Sequence, residues 1–150
     1  MPYLLKPIEK KDIPVIVEWH REHVKINFPD SKYKKDLFQK IVMADFKIMG
    51  KDIALLKMVD EDEMVGFLWL RKVFDPYKDR NYCDLHYIHV APWCRGKGIG
   101  GQLMNIVDAW CQKKKIKEIR LGTSNTNSAA YLLYVNHGFE IKRVLMEKHL

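Results

Sequence analysis

His89-Val90-Ala91-Pro92-Trp93-Cys94-Arg95-Gly96-Lys97-Gly98-Ile99-Gly100-Gly101 joins an apolar run to an amphipathic one, and its reading decides the fold. Four glycines and two cations lie within it. Glycine lets a backbone curl tightly and approach a ligand closely. The first turn of a helix leaves its amide N–H groups without internal acceptors, and such groups suit a phosphate. The stretch therefore predicts a strand, a phosphate-cradling turn and a helix. An ordinary glycine-rich turn is the plain alternative, and Arg95 and Lys97 beside the glycines favour the cradle.

Three kinds of cradle compete for these residues. The phosphate loop of nucleoside triphosphatases needs Gly-x-x-x-x-Gly-Lys followed by Ser or Thr. Here Gly100 and Gly101 are followed by Gln102, so that reading fails. The dinucleotide fingerprint G-x-G-x-x-G is formally present as Gly96-x-Gly98-x-x-Gly101. It should open directly off a strand, with an acidic residue ending the next strand. Pro92-Trp93-Cys94-Arg95 intervenes, and Glu118 begins the following strand instead. The third reading is R-x-x-G-x-G, formed by Arg95 through Gly100 after a strand ending at Val90. That pattern resembles the acyl-CoA-binding segment of the GNAT superfamily of N-acetyltransferases. The resemblance implies that the loop amides and the helix N-terminus hold the pyrophosphate of coenzyme A.

With 150 residues, 47% of them hydrophobic, the chain has room for one domain with a substantial core. A single N-acetyltransferase domain over residues 1–150 is the expectation. No run of eighteen apolar residues occurs, which argues against a membrane span, and the N-terminus lacks the apolar core of a signal peptide. Cys83, Cys94 and Cys111 are sparse and odd in number, which favours a reducing cytoplasm over a secreted disulfide scaffold. The net charge of +7 is spread over separate short clusters. Lys113-Lys114-Lys115 closes a helix, where cations suit the dipole. A mild field attracting a polyanionic co-substrate accounts for this charge better than nucleic acid does.

Along the chain, Tyr3–Ile8 reads as a strand. Asp12 and Pro14 open a helix with Ile13, Ile16, Val17 and His20 on one face. After Asn27-Phe28-Pro29-Asp30-Ser31, a second helix carries Tyr33, Leu37, Phe38, Ile41 and Val42 as its stripe. Ile53–Val59 and Met64–Val73 form a hairpin, and Tyr82–Val90 is the strand feeding the glycine turn. Ile99, Leu103, Ile106, Val107 and Trp110 line one face of the next helix. Glu118–Thr123 follows as a strand parallel to its predecessor. A short helix with Asn127 as its N-cap ends at Gly138, and Phe139–Leu150 is expected as a terminal strand or hairpin. The fold class is α+β in α/β/α layers. Its twisted sheet is mixed and mostly antiparallel, with one central parallel strand–helix–strand crossover. The GNAT proteins share that order.

A second motif supports the resemblance. Asn127-x-x-Ala130-x-x-x-Tyr134-x-x-x-Gly138-Phe139 is similar to the family's N-x-x-A-x-x-x-Y-x-x-x-G-F, and helical spacing puts Asn127, Ala130 and Tyr134 on one face. The resemblance implies that Asn127 and Ala130 border acetyl-CoA and that Tyr134 protonates the departing thiolate. It assigns the main chain of Ile88, His89 and Val90 to the acyl carbonyl and the pantetheine arm. Arg95, Gly96, Lys97, Gly98, Ile99, Gly100 and Gly101 take the diphosphate, and no metal is implied.

The base is left between Asp84 and His86, polar residues on a strand expected to be central. His titrates near neutrality, and Asp84 can orient it or a water. Strict alternation puts Asp84, His86, Ile88 and Val90 on one face and Leu85, Tyr87 and His89 on the other. It also argues against zinc at Cys83, His86 and His89, whose successive side chains would diverge. Two departures from the family pattern stand out. Gly122 occupies the position where some relatives carry a glutamate base, and only twelve residues follow Gly138. The acceptor is a small-molecule or peptide amine, and a second subunit is one way to complete its wall, as a homodimer. The competing readings are a coenzyme A-binding or protein-interaction module without catalysis, and a nucleic-acid binder.

Overall fold

The computed structural model describes residues 3–123 and 128–150. Strands β1 (Leu4–Pro7), β2 (Ile53–Asp60), β3 (Glu63–Asp75), β4 (Arg80–Val90) and β5 (Ile119–Arg120) form a single sheet in the order β1-β2-β3-β4-β5. The first three pairings are antiparallel, while β4 and β5 run parallel. Helices α1 (Ile13–Asn27) and α2 (Lys35–Ile48) lie between β1 and β2 in the chain; α3 (Ile99–Lys113) is the crossover between β4 and β5, and α4 (Ala129–Asn136) follows β5. The α+β class and the parallel crossover are as the sequence predicts.

The layers follow from which side chains each helix can bury. Ile13, Ile16 and Val17 of α1 and Phe38 and Val42 of α2 are buried, so these helices share one face of the sheet. Leu103, Met104 and Val107 of α3 are fully buried on the opposite face. Gly66 of β3 lets α3 come close, because a Cβ there would meet Leu103 Cδ1 at 3.1 Å. Leu133 of α4 seats against Gly100 of α3, and His137 Nε2 meets Asp108 Oδ2 at 2.8 Å, so α4 lies on the α3 side.

Two ion pairs built on buried carboxylates, Asp12 and Asp45, fasten the helical layer. Lys57 of β2 meets Asp12, just before α1, at 2.8 Å and Glu9 at 3.0 Å. Asp45 of α2 accepts from Trp69 Nε1 and from Arg71 Nε, both at 2.7 Å. Asp12 caps no amide of α1; its carboxylate accepts from the Glu9 amide at 2.7 Å. At the opposite edge, Arg120 of β5 reaches Asp75 at 2.5 Å and Glu118 at 3.2 Å, tying the short strand to the β3–β4 turn.

Four expectations need correction. Of the stripe expected on the second helix, Tyr33 precedes α2, Leu37 and Ile41 are exposed, and only Phe38 and Val42 are buried. The strand expected over Glu118–Thr123 is paired only at Ile119 and Arg120. The N-cap of α4 is Ser128, whose hydroxyl accepts from the Tyr131 amide at 3.1 Å, not Asn127, which lies outside the described residues. Residues 139–150 form neither strand nor hairpin. With β5 only two residues long, the sheet offers the tail no ladder of useful length.

Replacing Asp45 by Ala strands a buried indole N–H and the Arg71 guanidinium. Removing one partner of such a pair costs about 3 kcal/mol. Urea unfolding should show that loss at an unchanged denaturant slope, and a loss below about 1 kcal/mol would contradict it.

Candidate active site

The site is built around an extra residue in β4. Trp69 pairs with Tyr87 and Leu70 with Leu85, which leaves His86 unpaired as a β-bulge. Cross-strand partners share a face. Gly66 faces α3, so by alternation Leu68 does too, and their partners Val90 and Ile88 follow. Trp69 faces α2, so Tyr87 and His89, opposite Trp69 and Phe67, turn toward α1 and α2. Beyond the bulge Leu85 returns to the α3 face, while Asp84, opposite Arg71, takes the helix-pair face. His86 joins it: its ring lies 4.4 Å from that of Trp69 and its Nδ1 3.3 Å from Asp84 Oδ2.

The bulge thus corrects the alternation expected from sequence. Asp84 and His86 do share a face, but with Tyr87 and His89, not with Ile88 and Val90. Cys83 packs toward α3, where its thiol and that of Cys111 perturb one another, so it stays apart from His86 and His89. Among the described residues, no three His, Cys, Asp or Glu side chains are arranged to hold a metal ion.

Helix α1 brings residues that sequence reasoning left out of the site. His20 stacks on Phe38 with ring centroids 3.6 Å apart and meets Tyr33 Oη through Nδ1 at 3.0 Å. His23 meets Tyr87 edge-on, and Trp19 stacks on His89 at 4.5 Å. Tyr87 Oη shares a 3.3 Å hydrogen bond with His89 Nδ1, while the buried His89 Nε2 has no partner among the described residues. A shallow cavity of about 260 Å³ opens beside His20, lined by Tyr33, Phe38 and Lys34. His20 was legible as an apolar-face residue of α1. What hid its role was the bulge, which turns His86 and Tyr87 to meet it.

Burial sets the protonation of this cluster. It lowers His20 to about 4, with help from the neighbouring His23 and His86 imidazoles. It lowers His89 to about 4 as well, reinforced by the Arg95 guanidinium and His23. His23 is lowered by burial and then by Arg95. Burial raises the Tyr87 and Tyr134 hydroxyls above the usual phenol range.

On the other side of β4 the backbone opens. The Cys83 amide donates to Glu118 O at 2.8 Å, and pairing with β5 ends at Asp84 and Arg120. The Ala91 amide donates to Val65 O at 2.9 Å, so by alternation His89 also points its N–H toward β3. Ile88 and Val90 then aim their amides away from β3, into the space that β5 vacates. Of the three main-chain donors expected there, His89 is therefore turned the other way.

Gly96 and Gly98 both sit at φ +79°, in the left-handed region that favours glycine, and Gly98 is the N-cap of α3. The helical ladder begins with Gln102 N donating to Gly98 O at 3.2 Å, so the amides of Ile99, Gly100 and Gly101 precede it without intrahelical acceptors. A Cβ at Gly96, Gly98 or Gly101 would meet nothing within 4 Å. Arg95 and Lys97 are exposed beside this turn and make no ion pair among the described residues. Tyr134 of α4 packs on Phe139 and shares its short helix with the exposed Ala130. Asn127, expected at the cofactor, lies outside the described residues.

Because His20 and His89 are held neutral in the folded chain, the unfolded chain binds more protons below its own imidazole pKa of about 6.5. Their contribution is complete above that pH and is lost as pH falls toward 4. The melting temperature should fall between pH 7 and 5, and the double variant His20→Phe, His89→Phe should flatten that fall. An unchanged slope would contradict the assignment.

The sequence matches the Acetyltransferase (GNAT) family over residues 14–139. It is 31% identical over 85 residues to a mycothiol acetyltransferase of Renibacterium salmoninarum, a match covering 57% of this chain and 25% of that protein. The fold superposes on a possible acetyltransferase from Clostridium difficile 630 with a TM-score of 0.79, at 18% identity, over 100% of this chain and 99% of that one. It superposes at 0.77 and 13% identity on a predicted acetyltransferase with acetyl-CoA from Clostridium acetobutylicum, over 99% and 96% of the two chains. No helix among the described residues is long and apolar enough to cross a membrane. With 126 consecutive positions aligned to the family and the fold matched over its full length, the chain belongs to the GNAT acetyltransferases.

Proposed function

We propose that this chain is a single acyltransferase unit that moves an acetyl group from acetyl-CoA to a primary amine by direct attack. The observation that carries this reading is the meeting of two unsatisfied backbone features at the end of β4. One is the first turn of α3 with Arg95 and Lys97 beside it, suited to a diphosphate. The other is the pair of amides at Ile88 and Val90, facing the gap where β4 and β5 separate. A thioester arm lying in that gap has its carbonyl within reach of N–H donors, which stabilise an oxyanion because they are already oriented.

Acyl transfer then needs two proton movements. The amine, with a free pKa near about 10.4 if it resembles lysine, must lose a proton before or during attack. His86, oriented by Asp84, accepts it directly or through water. The amine nitrogen bonds to the carbonyl carbon, the carbon–sulfur bond breaks, and Tyr134 gives its hydroxyl proton to the leaving thiolate. Burial above the usual phenol range keeps Tyr134 protonated at neutral pH, as an acid must be. His20, Tyr33 and Phe38 wall the acceptor side. The acceptor is a small molecule or peptide amine.

Coenzyme A at millimolar concentration should raise the melting temperature, since a ligand that binds only the folded state stabilises it. Arg95→Glu should reduce that shift, and no shift in the unaltered protein would refute the co-substrate assignment. Tyr134→Phe should lower kcat about 10²-fold with a small change in acetyl-CoA affinity; an unchanged kcat would remove it as the acid.

A further inference from the structure

The acceptor side carries charge of one sign. Tyr33 meets His20 Nδ1 through its hydroxyl at 3.0 Å, which anchors the segment before α2 to α1. Lys32 and Lys34, on either side of Tyr33, are exposed and line the cavity beside His20. An adjoining cavity of about 290 Å³ shares Val24, Ser31 and Tyr33 and adds Arg21, Lys25 and Lys35. Among the described residues, no carboxylate lines either cavity. Of these cations only Arg21 meets carboxylates among the described residues, Glu18 at 2.5 Å and Glu22 at 3.1 Å.

The walls of the first cavity are apolar. Val24, Leu37, Phe38 and Ile41 line it, and Leu37 and Ile41 stay 57% and 42% exposed. An amphipathic helix turns such residues to the core, so their display here suits an apolar ligand. A cavity of about 150 Å³ takes benzene, and this one, at about 260 Å³, has room for a phenyl-sized body. Its inner wall lies close to the reacting groups. Phe38 stacks on His20 at 3.6 Å and meets Trp69 edge-on at 6.2 Å, and Trp69 meets His86 at 4.4 Å. One indole separates that wall from the proposed base.

We propose that the acceptor is a small amine whose apolar body carries a carboxylate or phosphate. The inference rests on the acetyl-transfer reading and gives it a substrate class. The body packs on Val24, Leu37 and Phe38, the anion meets Lys32 and Lys34, and the amine turns to His86. A polyamine would meet cations where its second ammonium needs carboxylates. Positive surroundings also lower the pKa of an ammonium, which favours the neutral amine that attacks.

Thiol release from acetyl-CoA with phenylalanine, its phosphonate analogue, phenethylamine and spermidine tests this. kcat/KM should be highest for an anionic amine, and the first two probes tell carboxylate from phosphate recognition. In the double variant Lys32→Glu, Lys34→Glu, the preference for the better anionic amine over phenethylamine should fall about tenfold, through KM. The rise in melting temperature with coenzyme A should persist in that variant, showing that it is folded. Turnover of phenethylamine or spermidine ahead of both anionic amines would overturn this inference and leave acetyl transfer standing. So would an unchanged preference in the variant. Release from none of the four would also overturn it, whereas the acetyl-transfer reading falls on a missing coenzyme A shift.

Discussion

The bulge at His86 is the constraint on which the rest of the site depends. One extra residue in β4 shifts the side-chain phase by a single position, and a single position exchanges the two faces of a strand. Without it His86 and His89 would lie on opposite sides of the sheet. With it Asp84, His86, Tyr87 and His89 all take the face that carries the helix pair, while Ile88 and Val90 stay on the α3 face. Bulges also strengthen local twist. Here the residues beyond the bulge are those that part from β5, so one irregularity lies at both the polar cluster and the open backbone edge.

Different forces hold this arrangement and position it. Phe67, Trp69, Leu68 and Leu70 are fully buried along β3, and each such side chain contributes about 1.5–3 kcal/mol. A buried ion pair contributes little net stability, because desolvation offsets most of the attraction. The apolar strand therefore stabilises the layers. The pairs Lys57–Asp12 and Asp45–Arg71 fix where α1 and α2 sit on it. That placement carries His20 to β4, where burial holds its imidazole neutral at ordinary pH, with the exposed His23 at the rim.

Much of this is legible in the sequence because it rests on local signals. Gly96 and Gly98 announce a turn that other residues would strain to make, and both adopt positive φ. Ile99, Leu103 and Val107 mark the buried face of α3 by spacing alone. The parallel crossover follows from strand, helix and strand in succession. The bulge has no such backbone signal, since neither Gly nor Pro stands near His86; its one trace is the slip in polar alternation at Tyr87-Ile88, which puts His89 out of phase with Asp84 and His86. Ser128 displaces Asn127 as the cap because either residue type caps well and only geometry chooses between them. The tail misleads for a related reason. Its apolar residues read as a strand by composition alone, and the two-residue β5 is too short to pair with them.

A crystal structure with coenzyme A bound tests the central claim most directly. The diphosphate should lie within hydrogen-bond distance of the amides from Gly98 to Gly101, with the pantetheine arm entering between β4 and β5 beside Ile88 and Val90. A diphosphate bound elsewhere, with the first turn of α3 still facing solvent and the β4–β5 gap empty, would contradict it.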